Sequence, residues 1–293
     1  YGVYAYLCTY SDITLATQYD TALAQAEKNA AQSGQAGASY EAKLQVCAQK
    51  REGDVQEVSS LSQLESLLEQ KHQGFAKLAG DLTTAESLVL PKGTSLTLDL
   101  NGYTLTGTSE GKILEAQQGS SLMLLNGTVA GSAYYGIHGV GSRITCHQVE
   151  IKGFPYSVYV SDSGSQLDSV VRLVDCEISG DTCAVFVSGN GTGSAQKSQL
   201  VVDGCTLTGK GMLIASNGTA TGEGRWGTDI QVLNSTLTCD PDAVTTAIYH
   251  PQKDSTLTVY HTTVSAYTGM AIKGGHVRIQ GSSVTGTGEK NPP

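Results

Sequence analysis

The chain has 293 residues, a net charge of -9, 35 Gly and only 15% charged residues. That balance argues against binding a nucleic-acid backbone, which needs a basic stripe to displace counterions, and it disfavours strongly anionic polymers unless a metal ion intervenes. No apolar run approaches the roughly 18 residues needed to cross a membrane, and seven Cys with no CxxC pair exclude the common zinc spacings. Tyr1 at the start and Asn291-Pro292-Pro293 at the finish resemble cut ends, so a secretory signal and a surface anchor are expected outside this window.

Residues 1–54 read as an N-terminal helical segment. Ile13, Leu15, Ala16, Tyr19, Leu23 and Ala26 recur at near-helical spacing, Ser33 to Gly37 breaks the run, and Tyr40 to Lys50 resumes it. An antiparallel helix pair would bring Cys8 close to Cys47, as a disulfide or as two unrelated thiols. A further helix is predicted over 60–73. Ser60 and Gln63 suit a capping box, Leu61, Leu64, Leu67 and Leu68 share a face, and Gly74 is the expected stop.

From residue 96 onward the pattern changes to short β-type segments separated by Gly, Asn and Ser turns. Eight windows stack: LTLDLNGYTLTG at 96–107, LMLLNGTVAG at 122–131, ITCHQVEIKG at 144–153, VRLVDCEISG at 171–180, LVVDGCTLTG at 200–209, IQVLNSTLTC at 230–239, LTVYHTTVSA at 257–266 and VRIQGSSVTG at 277–286. Counted back from the last residue, the second, seventh and ninth positions are apolar in every window, which sets Leu100 beside Leu124 and Leu98 beside Leu122. Units of 20 to 30 residues with short strands bury an apolar face only by stacking. A leucine-rich repeat would carry an Asn/Cys ladder and a helical segment that these windows lack.

With its inward strand, bend, inward apolar residue and Gly turn, the chain resembles right-handed parallel β-helices of the pectate-lyase-like superfold over about residues 75–286. The resemblance implies an all-β solenoid of about eight rungs over 55–293, with helix 60–73 covering the first rung, and a secreted or cell-surface bacterial protein. It is nearly silent on activity, since this fold hosts lyases, hydrolases and adhesins alike.

Stacking turns each window position into a ladder. Four residues before the window end, Cys176 and Cys205 fall on adjacent rungs, within disulfide reach or as buried thiols filling small spaces. One position later, Glu150 and Glu177 are neighbours about 5 Å apart on an otherwise Thr-rich outward ladder. Lys152, Arg143 and Arg172 are expected on the same sheet, as a solvated charge network or as the acids and assisting bases of a glycoside hydrolase or a Ca²⁺-assisted lyase. The R-x-P stretch of pectate lyases and the D-D pair of polygalacturonases are both missing. The six His have no metal-ligand spacing, so no cofactor is expected unless Ca²⁺ serves a lyase.

Alternation points Tyr159 outward, with Phe186 on the next rung. Tyr156 lies close in sequence to Tyr134 and Tyr135, and Trp226 sits in the Gly-rich insertion 217–228. These aromatics suit stacking on a polysaccharide or cell-surface glycan, or they pack beneath the N-terminal helices. Three functions follow: a non-catalytic carbohydrate-binding or adhesive surface module, a polysaccharide lyase or glycoside hydrolase at Glu150/Glu177, and a structural spacer of a larger surface protein.

Overall fold

A computed structural model describes residues 6–9, 45–48, 55–69, 74–161, 169–189, 197–217 and 227–288. Twenty-three strands join in one sheet, and their pairings are parallel, giving an all-β solenoid of about seven turns. Each turn carries three strand segments, some of which run together, as in Ser121–Gly131, Arg143–Ser161 and Glu177–Val187. In one complete turn these are Ser198–Asp203, Thr206–Gly209 and Met212–Ser216. Stacking equivalent strands builds a first, a second and a third strip along the wall.

The predicted apolar ladders are the inner wall. Ile144, Val171, Leu200, Ile230 and Leu257 are consecutive partners on the first strip, and Ile151, Ile178, Leu207, Leu237 and Val264 on the second. All ten are essentially fully buried. The opening window alone is misaligned, because Leu98 pairs with Leu124, and Leu96 with Leu122. Two extra residues sit in its bend, where Asn101 and Gly102 both take left-handed conformations and the Asn101 N–H donates to Asp99 Oδ1 at 2.8 Å. After the bend the register is as predicted, with Leu105 opposite Val129.

Each turn bends where local chemistry favours it. Between the first and second strips a residue at positive φ recurs: Gly102, Asn126, Gln148, Asp175, Gly204, Asn234, His261 and Gly281. Gly and residues with short polar side chains tolerate that conformation best. In the later turns the residue that follows accepts the corresponding N–H of the preceding rung. The Cys176 N–H donates to Cys205 Sγ, the Cys205 N–H to Ser235 Oγ, the Ser235 N–H to Thr262 Oγ1 and the Thr262 N–H to Ser282 Oγ. Cys176 and Cys205 are therefore free, buried thiols in a hydrogen-bonding ladder, and the disulfide alternative between them is set aside. Between the third strip and the next turn, a second ladder of Ser120, Ser142, Ser169, Ser198, Thr228 and Ser255 is buried. There the Ser169 N–H donates to Ser198 Oγ and the Thr228 N–H to Ser255 Oγ.

The capping ladder makes a specific stability prediction. Cys205→Ser keeps an acceptor for the Cys176 N–H and is expected to change stability by less than about 0.5 kcal/mol, whereas Cys205→Ala strands a buried N–H and costs about 2 kcal/mol. Equal urea midpoints for the two variants would show that the sulfur acts only as filler.

The two ends of the solenoid differ. At the N-terminal end, helix Leu61–Glu69 buries Leu64, Leu67 and Leu68. Ser60 Oγ accepts the Gln63 N–H at 3.4 Å, while Gln63 Oε1 accepts from Ser59 rather than Ser60. Gly74 opens the next strand, Gly74–Leu78. At the other end the inward ladder emerges: Val277 and Ile279 are 37% and 46% exposed, whereas Leu257 and Val259 one rung earlier are 1% and 0%.

The N-terminal segment departs from expectation where it is described. Residues 45–48, predicted helical, form strand Gln45–Ala48, paired in parallel with Tyr6–Thr9, and Cys8 is level with Cys47. The predicted helix over 12–33 lies outside the described residues. Among the described residues, no helix is long and apolar enough to cross a membrane.

Candidate functional site

The outward face of the third strip gathers the aromatic side chains of three successive rungs. Strand Tyr135–Val140 lies beside the stretch of Arg143–Ser161 that carries Tyr156 and Tyr159, and that stretch lies beside Glu177–Val187. Register fixes the columns: Tyr135 opposes Tyr156, and His138, Tyr159 and Phe186 stand in line. Val158 and Val185 point into the core between them, so strand alternation sends Tyr159 and Phe186 outward as predicted.

The rings make one continuous cluster. Tyr159 and Phe186 stack with centroids 4.7 Å apart and planes 8° from parallel, and His138 stacks on Tyr159 at 5.7 Å and 7°. These three form a stacked column along the strip. Tyr156 is perpendicular to Tyr159 at 5.3 Å, Tyr135 packs at 4.9 Å from Tyr159, and Tyr134 lies 4.7 Å from Tyr135 and 5.3 Å from Tyr156. Tyr134 is the most open of the cluster, at 46% exposure. Beside the rings, on the preceding rung, Lys112 and Glu115 form an ion pair at 3.0 Å. They are the register partners of Tyr135 and His138.

Electrostatics keep this platform uncharged. Burial, helped by Lys112 and opposed by Glu115, holds His138 down at about 4, so the imidazole is neutral near pH 7. Burial and the neighbouring Tyr134 push Tyr156 up to about 12, and Tyr135 is raised for the same reasons. A neutral, partly dehydrated aromatic surface beside one ion pair can hold the apolar face of a ring while offering hydrogen bonds at its edge.

The carboxylate pair occupies a different face. Glu150 and Glu177 are direct register partners on the second strip, as predicted. Lys152 Nζ donates to Glu150 Oε1 and Oε2 at 2.8 and 2.7 Å, and Thr128 Oγ1 donates to Oε2 at 3.2 Å. Glu177 is exposed. Arg143 and Arg172 do not share this strip. They belong to the first strip, where Arg143 pairs with Val170 and Thr145 with Arg172, and Arg172 is 2% exposed. The expected convergence of two acids with Arg172 is thus corrected: the bend at Gln148 and Asp175 turns the two strips away from each other.

Among the described residues, no group of three His, Cys, Asp or Glu could hold a metal ion. Trp226 lies outside the described residues. Tyr159 and Phe186 point outward as predicted, whereas the sequence marks Tyr134 and Tyr135 only as neighbours of Tyr156 and leaves His138 unremarked. The signal for these last three was the Tyr-Tyr-Gly-Ile-His run on the rung before Tyr156, readable only once the third strip's register is known. Comparison with protein-family models, curated proteins and solved structures finds no match for this chain.

Proposed function

We propose that this chain is a non-catalytic, secreted or cell-surface module that binds carbohydrate through the aromatic platform. One observation carries the reading: five aromatic side chains and a neutral His from three rungs form a single outward cluster, with Tyr134 open to solvent. Large aromatic side chains on a soluble surface mark interaction sites more often than packing defects. We further propose that the chain belongs to the pectate-lyase-like superfold, a reading supported by the three parallel strips and the helix over the first turn.

The test is affinity electrophoresis against plant, microbial and host polysaccharides. Tyr134→Ala combined with Tyr156→Ala is expected to weaken binding about tenfold, the equivalent of about 1.4 kcal/mol of lost ring contact. Undiminished binding by that variant removes the platform from the mechanism, and no binding at all by the wild type favours the spacer reading.

A polysaccharide lyase or hydrolase is the second reading, favoured by the adjacent register of Glu150 and Glu177. Against it, Glu150 is clamped by Lys152, and Arg172 is buried on another strip. A catalytic acid pair needs a recess with convergent donors.

A further inference from the structure

Beside the platform runs a groove that neither the aromatic cluster nor the carboxylate pair uses. It lies at the bend between the second and third strips and encloses about 420 Å³, within the usual range for small-ligand sites. Gly153, Gly180 and Gly209 contribute to its lining. Gly180 is the register partner of Gly209, and Gly209 of Cys239, so the trough runs along the solenoid axis. The residue after each of these partners also lines it, setting Asp181, Lys210 and Asp240 on successive rungs, about 4.8 Å apart.

Two of these three charges are not committed to the fold. Among the described residues, Asp181 and Lys210 are exposed and enter no ion pair or side-chain hydrogen bond, while Asp240 Oδ1 accepts the Asp242 N–H at 2.9 Å. The groove also adjoins the platform. Phe154 lines it two residues before Tyr156 on the same strand, and Tyr156 pairs with Cys183, two residues beyond Asp181.

We propose that this groove is a second subsite for the same ligand, and that the ligand is an uncharged, extended polysaccharide running along the solenoid axis. The proposal rests on the platform reading above. Sugar rings pack on Tyr134 and Tyr156, and the next units enter the groove, where Asp181 and Asp240 accept hydrogen bonds from hydroxyls and Lys210 donates one. The charges select against a polyuronate. Lys112 is neutralised by Glu115, the groove sets two carboxylates against one ammonium, and the chain carries a net charge of -9.

The experiment is amide chemical-shift mapping of the full chain titrated with cellohexaose, mannohexaose, xylohexaose and, as the acidic comparison, hexagalacturonate. At least one neutral hexamer is expected to move the amides of both Tyr156 and Gly180. In Asp181→Ala/Lys210→Ala the Gly180 response is lost and hexamer affinity falls about tenfold, while binding of the corresponding trisaccharide holds. Both positions are exposed, so the variant's thermal unfolding is expected to match the wild type. Shifts at Tyr156 alone overturn the groove and leave the platform standing. Shifts at Gly180 alone overturn the platform and the shared track. Tighter binding of hexagalacturonate overturns the uncharged ligand, and silence from all four probes overturns both subsites.

Discussion

Gly153→Ala is expected to cost about 4 kcal/mol, near the upper end for a single substitution. Two effects coincide there. Gly153 has φ +87, where a side chain brings roughly 1–3 kcal/mol of strain. A Cβ would also run into the Gly131 carbonyl oxygen of the rung below, and that carbonyl belongs to a strand held by partners on both sides. Gly102→Ala is the control. Its φ is +83 and nothing lies within 4 Å of the added carbon, so it carries the strain alone and is expected to cost about 1–2 kcal/mol. Urea denaturation of the two variants reads the difference. Equal losses would mean that close approach between rungs is not what the glycine at this bend secures.

Acid is expected to erode the stability of the wild type more steeply than that of His250→Gln. The His250 ring is fully buried, and burial lowers its pKa from the ordinary 6.5, with the Ser255 backbone opposing it and Lys197 adding to it. The fold accommodates the neutral ring. The contribution is therefore fully present above pH 6.5, and it fades as the pH falls from there through the lowered folded value. It is worth about 1.4 kcal/mol for each unit by which the folded value lies below the unfolded one. His138 acts in the same direction, its window extending down to about 4, and so does His147, whose lowering Asp175 partly offsets. Melting curves between pH 7.5 and 4 should show the wild type losing stability faster than His250→Gln. Parallel profiles would show that protonation of His250 carries no linkage.

Much of this architecture was legible because burial imposes it. A residue facing the interior from the middle of a strip is apolar on rung after rung, so ladders such as Leu173, Val202, Val232 and Val259 can be aligned without any structure. Glu150 and Glu177 inherited correct neighbours from the same alignment. Bends are harder to read, because their requirement is conformational. Asn126, Gln148, Asp175 and His261 share a left-handed backbone but no common side-chain chemistry, and the two extra residues before Tyr103 shift a register without disturbing the hydrophobic count. Arg172 is expected beside Glu150 and Glu177 for that reason but stands on the neighbouring strip, since a window that looks continuous in sequence turns a corner at Asp175. The platform was half visible: Tyr159 and Phe186 follow from alternation against Val158 and Val185, whereas the neighbours of Tyr134 depend on a variable connection.

The two leading readings of function diverge most sharply in one assay, the release of new reducing ends from polysaccharides that the chain retains, with and without Ca²⁺. Because the aromatic platform lies on a different strip from Glu150 and Glu177, and Lys152 clamps Glu150, retention without release is predicted, and Glu177→Gln is expected to leave retention unchanged. Release of reducing ends that disappears in Glu150→Gln or Glu177→Gln would contradict the binding-module account and place an active site on the second strip.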